Sequence, residues 1–441
     1  MPSVLTQLHD AVNHDPVSLT GRRLDWANEP DPYKHYGPRV DRTSLPVDVQ
    51  ATGGLHAPGL ARLLRGALGP TAVLRRPGGQ LHLRAWASAG ALYPFEAYVA
   101  ASGVEGVPNG LHHYSPLENE LRLLRPGKDS HGDAASLRLI LATRIFRSSW
   151  KYGPRAFRYC LLDPGHALEN LVLLARALGF SPRVSLSLDD AAWCRQLCLN
   201  QELERPVAAV DLGGAFSTNT LGDPAEPCLD RDGVVSPAEK PEPKIVHAFQ
   251  VTAGAEREST PDTPPESVPW GDPESLMGSR RSRRNFLPDA TLGQAAHEAI
   301  TGCLRPWRDT PRVSLLCQGV EGMQDGRHAL DVSTGPLVKG ELHLPMTGVC
   351  LGQEWLANAP LHVLFTANLA ELESRSGPSG YRGALLRAGR LGQRVYLAAE
   401  ALGMGACGVG AFFDKQASDL LALEEHERLL YLVAVGPVRK R

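Results

Sequence analysis

A chain of 441 residues is longer than one domain usually runs, so two domains are expected. Hydrophobic residues make up 43% and the formal charge is −2, which supplies ample core and excludes a bulk electrostatic footprint for nucleic acid or an anionic membrane. No apolar run is long enough to span a bilayer, and no basic segment followed by an apolar core opens the chain, so the expectation is a cytoplasmic protein with no membrane association. The eight cysteines are scattered. The nearest pair, Cys194 and Cys198, has neither a disulfide-framework nor a metal-ligand spacing, so reduced thiols and no metal are expected.

Taken in chain order, the first half predicts a helix near 59–68, strands near 81–84, 96–101, 111–114, 120–124 and 157–162, and a helix near 165–179. Between two strand-like stretches lies Ser88-Ala89-Gly90-Ala91-Leu92-Tyr93-Pro94. Small residues at Ser88, Ala89 and Gly90 let a flat ligand approach the backbone, with free amides and a hydroxyl to bond it. A structural turn between strands is the plainer alternative. His112 and His113, with His131 nearby, lack a ligand set and are read as turn and surface residues. His166 is read as a packed or capping histidine at the start of its helix.

Residues 216–270 are dense in Pro, Glu, Asp, Ser and Thr and are read as an interdomain linker. Domain boundaries at 1–215 and 271–441 follow. The second half predicts helices near 291–303 and 383–403 and strands near 312–317, 361–367 and 430–435. It opens with Arg280-Arg281-Ser282-Arg283-Arg284, where guanidinium forks around a hydroxyl suit a phosphate, or form a solvated basic run. Near its end, Gly408, Val409, Gly410 and Ala411 follow a helix as a glycine-rich loop that can lie flat against a ring, or simply cap the helix. Arg439 belongs to a basic tail after the last strand.

The halves match each other. Gly165–Phe180 aligns without a gap to Gly389–Met404, both with Ala-x-Ala-Leu-Gly, and each half closes on an apolar strand ending in glycine, at Gly213 and Gly436. The period is too long for a solenoid, so a domain duplication is expected, each copy α+β with helices packed on a mainly antiparallel sheet.

Together these pieces resemble the flavin-dependent nitroreductase superfamily. Ser88 to Pro94 is similar to the turn of its SagB-type branch, the azoline dehydrogenases of thiazole- and oxazole-containing peptide biosynthesis, with Ala87 standing where that branch has a proline. Gly110 to Tyr114, Trp150 to Tyr159 and Leu161 to His166 fit the same branch. The resemblance implies two nitroreductase-like domains fused into an intramolecular pseudo-dimer. It implies about one FMN per chain, held by Arg280, Ser282, Arg284, Gly408–Ala411 and Arg439 of one half and completed by Ser88, Ala89 and Gly90 of the other. The reciprocal site lacks its motifs, so it is expected to be degenerate. The resemblance also implies Lys151 and Tyr152 as the catalytic pair. Azoline oxidation removes a hydride to flavin N5 and a proton from the adjacent position, and a tyrosine beside an ammonium can take that proton. Oxygen would reoxidise the flavin. A peptide or carrier-bound substrate, a cyclodehydratase or carrier-protein partner, and a higher oligomer of pseudo-dimers are the implied partners. An NAD(P)H-dependent reductase of a small electrophile and a flavin-free scaffold stay open as alternatives.

Overall fold

The computed structural model describes residues 3–14, 19, 23–47, 54–76, 79–128, 134–214, 216–221, 223, 228, 233–255, 260, 261, 271–305, 310–331 and 335–439. The chain divides into two compact units, a first of Leu24–Thr263 and a second of Met1–Arg23 with Pro264–Arg441. Helix α1 (Val4–Ala11) is capped by Ser3, whose hydroxyl accepts from the Thr6 amide at 3.2 Å. It belongs to the second unit.

In chain order the first unit contains β1 (Arg42–Ser44), α2 (Ala57–Leu68), a hairpin of β2 (Pro70–Arg76) and β3 (Gly79–Arg84), then β4 (Phe95–Ser102), β5 (Gly110–Ser115), β6 (Glu120–Pro126) and β7 (Ser136–Arg144). Helices α3 (Ile145–Tyr152) and α4 (Ala156–Ala177) follow, then β8 (Arg183–Ser185), α5 (Asp190–Leu197), β9 (Glu204–Gly213), α6 (Pro243–Val251) and β10 (Thr260–Pro261). The sheet order is β1-β6-β5-β4-β7-β9-β8-β10. Strands β4 and β7 are buried along their whole length, and α4 is buried from Ala156 to Ala175, so α4 is an internal helix with no solvated face.

The second unit contains α7 (Pro273–Ser279), α8 (Gln294–Gly302), β11 (Arg312–Cys317), β12 (Gly326–Ala329), β13 (Val338–Lys339), α9 (His343–Val349), β14 (Leu361–Asn368), α10 (Leu369–Ser376), α11 (Gly380–Ala401), β15 (Gly405–Val409), α12 (Asp414–Leu420) and β16 (Glu427–Gly436). Its sheet runs β13-β12-β11-β14-β16-β15. The segment β12-β11-β14-β16-β15 repeats the order β5-β4-β7-β9-β8 of the first unit, and every pairing within these segments is antiparallel. In each unit a 22-residue helix leads to a short strand, a short helix and a ten-residue closing strand that pairs with that short strand. The chain is therefore two tandem copies of one α+β architecture.

Several expectations need correction. The first unit is not 1–215. The buried Leu5 and Leu8 of α1 join the second unit, the Leu5 amide donates to Glu373 Oε2 at 3.0 Å, and His9 sits between Tyr381 and Asp414. Part of the supposed linker is structured. Helix α6 packs on α4, with Phe249 edge-on to Phe157 at 5.0 Å, and belongs to the first unit. Most of the run Ser259–Pro265, the triplet 332–334 and His131 lie outside the described residues. Residues 157–162 are helix rather than strand, because α4 begins at Ala156 and carries Pro164 inside it. His112 and His113 are buried members of β5, not surface residues. Cys198 and Cys228 form a disulfide across a sequence separation of 30, so not all thiols are reduced.

A buried charge system ties the first unit together. Glu204 at the start of β9 accepts from Tyr98 at 2.6 Å, Lys34 at 3.0 Å and Arg144 at 2.8 Å. Glu96 on β4 pairs with Arg147 of α3 at 2.5 Å and accepts from His113 at 2.8 Å. Burial pushes the Glu96 carboxyl up, but Arg147 and then His113 and Lys34 outweigh it and hold the group far below the usual range. Its contribution is therefore present above the unfolded value of about 4.3 and lost as pH falls through the depressed folded value. Glu96→Gln strands a buried guanidinium and should cost about 3–5 kcal/mol in denaturant unfolding of the first unit at pH 7. A cost below about 1 kcal/mol shows that the pair is not what holds α3.

Candidate functional site

In the first unit the Ser88–Pro94 turn is a strained corner entered from an extended Ser88. Gly90, Ala91 and Tyr93 have φ of 66°, 55° and 48°. A left-handed non-glycine residue costs roughly 1–2 kcal/mol, so Ala91 and Tyr93 must be held from outside. They are. The Tyr93 amide donates to Ser88 Oγ at 2.9 Å, and Arg147 Nη1 donates to the Tyr93 carbonyl at 3.3 Å. The Tyr93 hydroxyl accepts from the Arg84 amide at 3.0 Å, and the Pro94 carbonyl accepts from the Thr143 hydroxyl at 2.9 Å.

The Ser88 hydroxyl and Ala89 amide are not free, contrary to the expectation from sequence. Ser88 donates to Asp163 Oδ2 at 2.5 Å and the Ala89 amide to the same oxygen at 3.2 Å. Asp163 lies on α4 and is buried. Burial raises its carboxyl to about 7, against the lowering effect of Ser88 and Ala89. The sequence contains Asp163 within a recognised motif, but nothing in composition or spacing singles it out; only its approach to the turn from a helix 75 residues on does so.

Lys151 and Tyr152 end α3 and meet this turn. A Cβ built on Gly90 falls 2.6 Å from the Tyr152 hydroxyl and 3.1 Å from Lys151 Nζ. The two polar tips therefore converge on the bare face of residue 90. Lys151 Nζ lies 5.5 Å from the centre of the Tyr152 ring, and that ring packs edge-on to Tyr159 at 4.7 Å. Helix α3 is fixed one turn earlier by Arg147, through Glu96, the Tyr93 carbonyl and the Asp31 carbonyl. The preceding Trp150 donates to the Asp25 carbonyl at 3.0 Å. A phenol held beside an ammonium on a rigid support can ionise more readily, and the resulting phenolate can take a proton from carbon.

In the second unit the structure brings Arg280, Ser282, Arg284 and Arg439 alongside β15. The Arg283 amide donates to the Ala406 carbonyl at 2.9 Å, and the Arg439 amide to the Asn285 carbonyl at 3.1 Å. Tyr396 on α11 gathers the group. Its ring carries the Arg280 guanidinium at 5.3 Å, and its hydroxyl lies 3.1 Å from Ser282 Oγ and accepts from the Gly408 amide at 2.6 Å. Burial keeps that phenol protonated, with its pKa raised. Arg284 lies over Trp355 at 5.6 Å. The segment 280–286 presents guanidiniums and a hydroxyl with no acidic side chain, which fits a phosphate monoester.

The glycine-rich stretch is a loop only in its second half. Gly408 and Val409 belong to β15, paired to Val433 and Leu432 of β16, and Gly410 and Ala411 follow the strand. Gly408 is small because a Cβ there would fall 1.7 Å from the Tyr431 hydroxyl on the same face. No cluster of three or more metal-ligating side chains occurs among the described residues.

The model of the nitroreductase family matches residues 60–214 and 322–437, more than half of the chain and one segment in each unit. A candidate nitroreductase of Methanocaldococcus jannaschii, MJ1384, is 34% identical over 103 residues, 21% of this chain and 52% of that protein. The microcin B17-processing protein McbC of Escherichia coli is 26% identical over 140 residues, 28% of this chain and 52% of that protein. The chain thus spans about half the length of these curated relatives. The crystal structure of a candidate nitroreductase from Anabaena variabilis superposes with a TM-score of 0.82 at 24% identity, covering 100% of both chains, a likeness of fold.

Gly90→Ala puts a methyl group into the Lys151–Tyr152 tips at a left-handed backbone position. It should destabilise the first unit by about 1–3 kcal/mol, read as a lowered melting temperature. An unchanged melting temperature means that the corner and α3 are not in firm contact.

Proposed function

The chain belongs to the nitroreductase family, and from that premise we propose that it is an FMN-dependent dehydrogenase acting on an azoline, or a similar amino-acid-derived unit, carried on a peptide or a carrier protein. The observation that supports this most is the convergence of Lys151 Nζ and the Tyr152 hydroxyl on Gly90. The likeness to a protein named for processing microcin B17 favours a substrate presented in natural-product biosynthesis, with a cyclodehydratase or carrier protein as presenting partner.

Arg280, Ser282 and Arg284 are the residues suited to the phosphate of FMN, with β15 and Arg439 beside them. Bound there, FMN supplies the two-electron acceptor for the hydride leaving the ring, with oxygen as the final oxidant. Two C–H bonds break when an azoline becomes an azole, and the second must give up a proton. Tyr152 is placed to receive that proton, and the Lys151 ammonium stabilises the phenolate that does so. Proton transfer by a positioned group contributes typically about 10²–10⁴-fold.

Lys151→Ala and Tyr152→Phe should retain bound FMN, seen by its visible absorbance, while turnover of a synthetic thiazoline peptide falls by about 10²-fold or more. Arg280→Ala combined with Arg284→Ala should lose the flavin itself. Full turnover by both Lys151→Ala and Tyr152→Phe sinks the base assignment. Rapid bleaching by NADPH alone, without peptide oxidation, points instead to a reductase.

A further inference from the structure

We propose that Asp163 is a positioning residue whose carboxylate clamps the Ser88–Ala89 corner, so that the Gly90 backbone holds the Lys151 and Tyr152 tips where proton removal needs them. The inference rests on the role of Lys151 and Tyr152 proposed above, and it names a residue that does not itself touch the substrate.

The geometry runs in one chain of contacts. Asp163 accepts from the Ser88 hydroxyl at 2.5 Å and from the Ala89 amide at 3.2 Å. Ser88 in turn accepts from the Tyr93 amide at 2.9 Å, which closes the corner on its far side. Gly90 sits between these two fixed points with φ of 66°, its bare face against the Tyr152 hydroxyl and Lys151 Nζ. The other contacts of the corner hold Tyr93 and Pro94 at its far end, so without Asp163 the Ser88–Ala89 end loses its hydrogen bonds to α4 and the left-handed Gly90 and Ala91 can relax.

Displacement matters because the tips meet backbone rather than a flexible side chain. A wall that moves by about 1 Å lets the hydroxyl and ammonium separate, and misplacement of that size can cost about 10²-fold in rate. Among the described residues, the hydrogen bonds of this carboxylate go to the corner, and burial disfavours its charged form. Holding the corner is what it does there.

The test uses the flavin-loaded full chain with a synthetic thiazoline peptide as probe, and 3-fluorotyrosine placed at position 152 for fluorine NMR. Asp163→Ala should lower kcat by about tenfold or more, change KM by less than about threefold, and move the fluorine resonance. Asp163→Asn keeps an acceptor oxygen at the same place and should retain at least about a third of kcat with the resonance near its original position. Ser88→Ala removes the partner of the same bond and should reproduce the Asp163→Ala result, which keeps the test alive if the aspartate variant does not fold. An unmoved resonance with unchanged kcat in Asp163→Ala or Ser88→Ala overturns the clamp. So does an Asn variant as impaired as the Ala variant. If Lys151→Ala and Tyr152→Phe are fully active, the base assignment fails separately, and the fluorine shift still reports whether the corner holds Tyr152.

Discussion

The ion pair between Glu96 and Arg147 is the constraint on which the rest of the first unit's chemistry depends. It joins the middle of the sheet, through β4, to the helix that ends in Lys151 and Tyr152. The same guanidinium reaches the Tyr93 carbonyl, so one side chain sets the helix and the corner at once. Buried ion pairs contribute little net stability compared with an apolar filling, but they tolerate few alternative arrangements. Here that intolerance is useful. Two consecutive residues at a helix end point in different directions unless a neighbour collects their tips, and Gly90 is placed to do so only if α3 and the corner keep a fixed separation.

The second unit reuses the same frame with different furnishing. Helices α4 and α11 have the same length, and the short strands β8 and β15 follow them, each paired to the closing strand of its sheet. Strand β8 is three residues of Arg-Val-Ser, whereas β15 is five residues with glycine at both Gly405 and Gly408. At Gly405 a Cβ would meet Val438 and Arg283, and at Gly408 the Tyr431 hydroxyl. These glycines let the basic segment and the C-terminal residues lie close along the strand. Tyr396 then links Ser282 to the Gly408 amide, which gives the arginine cluster a defined backbone instead of a solvated run.

Much of this frame is legible in the sequence. The gapless match of two helices reports the duplication, because a buried helix of fixed length imposes the same apolar spacing in both copies. Strands β4, β5, β6, β11, β14 and β16 stand out as short apolar or alternating runs. The errors have physical causes. Residues 157–162 are apolar or aromatic except for Arg158, all are buried, and an element buried all round has no period by which to tell strand from helix. The glycines of β15 read as a loop because their reason for being glycine, a tyrosine on the neighbouring strand, is not local. His112 and His113 look polar and exposed, yet one bonds the Pro108 carbonyl and the other Glu96 inside the sheet. Asp163 and the Cys198–Cys228 pair are long-range partnerships, and no window of sequence contains both members.

The membership of α1 in the second unit has a consequence for how the chain folds. His9 finds Tyr381 only across 372 residues of sequence, with the whole first unit in between. The first unit is in effect an insertion within the second. Emerging from the ribosome, the first unit can complete its sheet while α1 has no partner to bury Leu5 and Leu8 against. The second unit can then close around α1 only once the distant α11 and α12, with Tyr381 and Asp414, have been made.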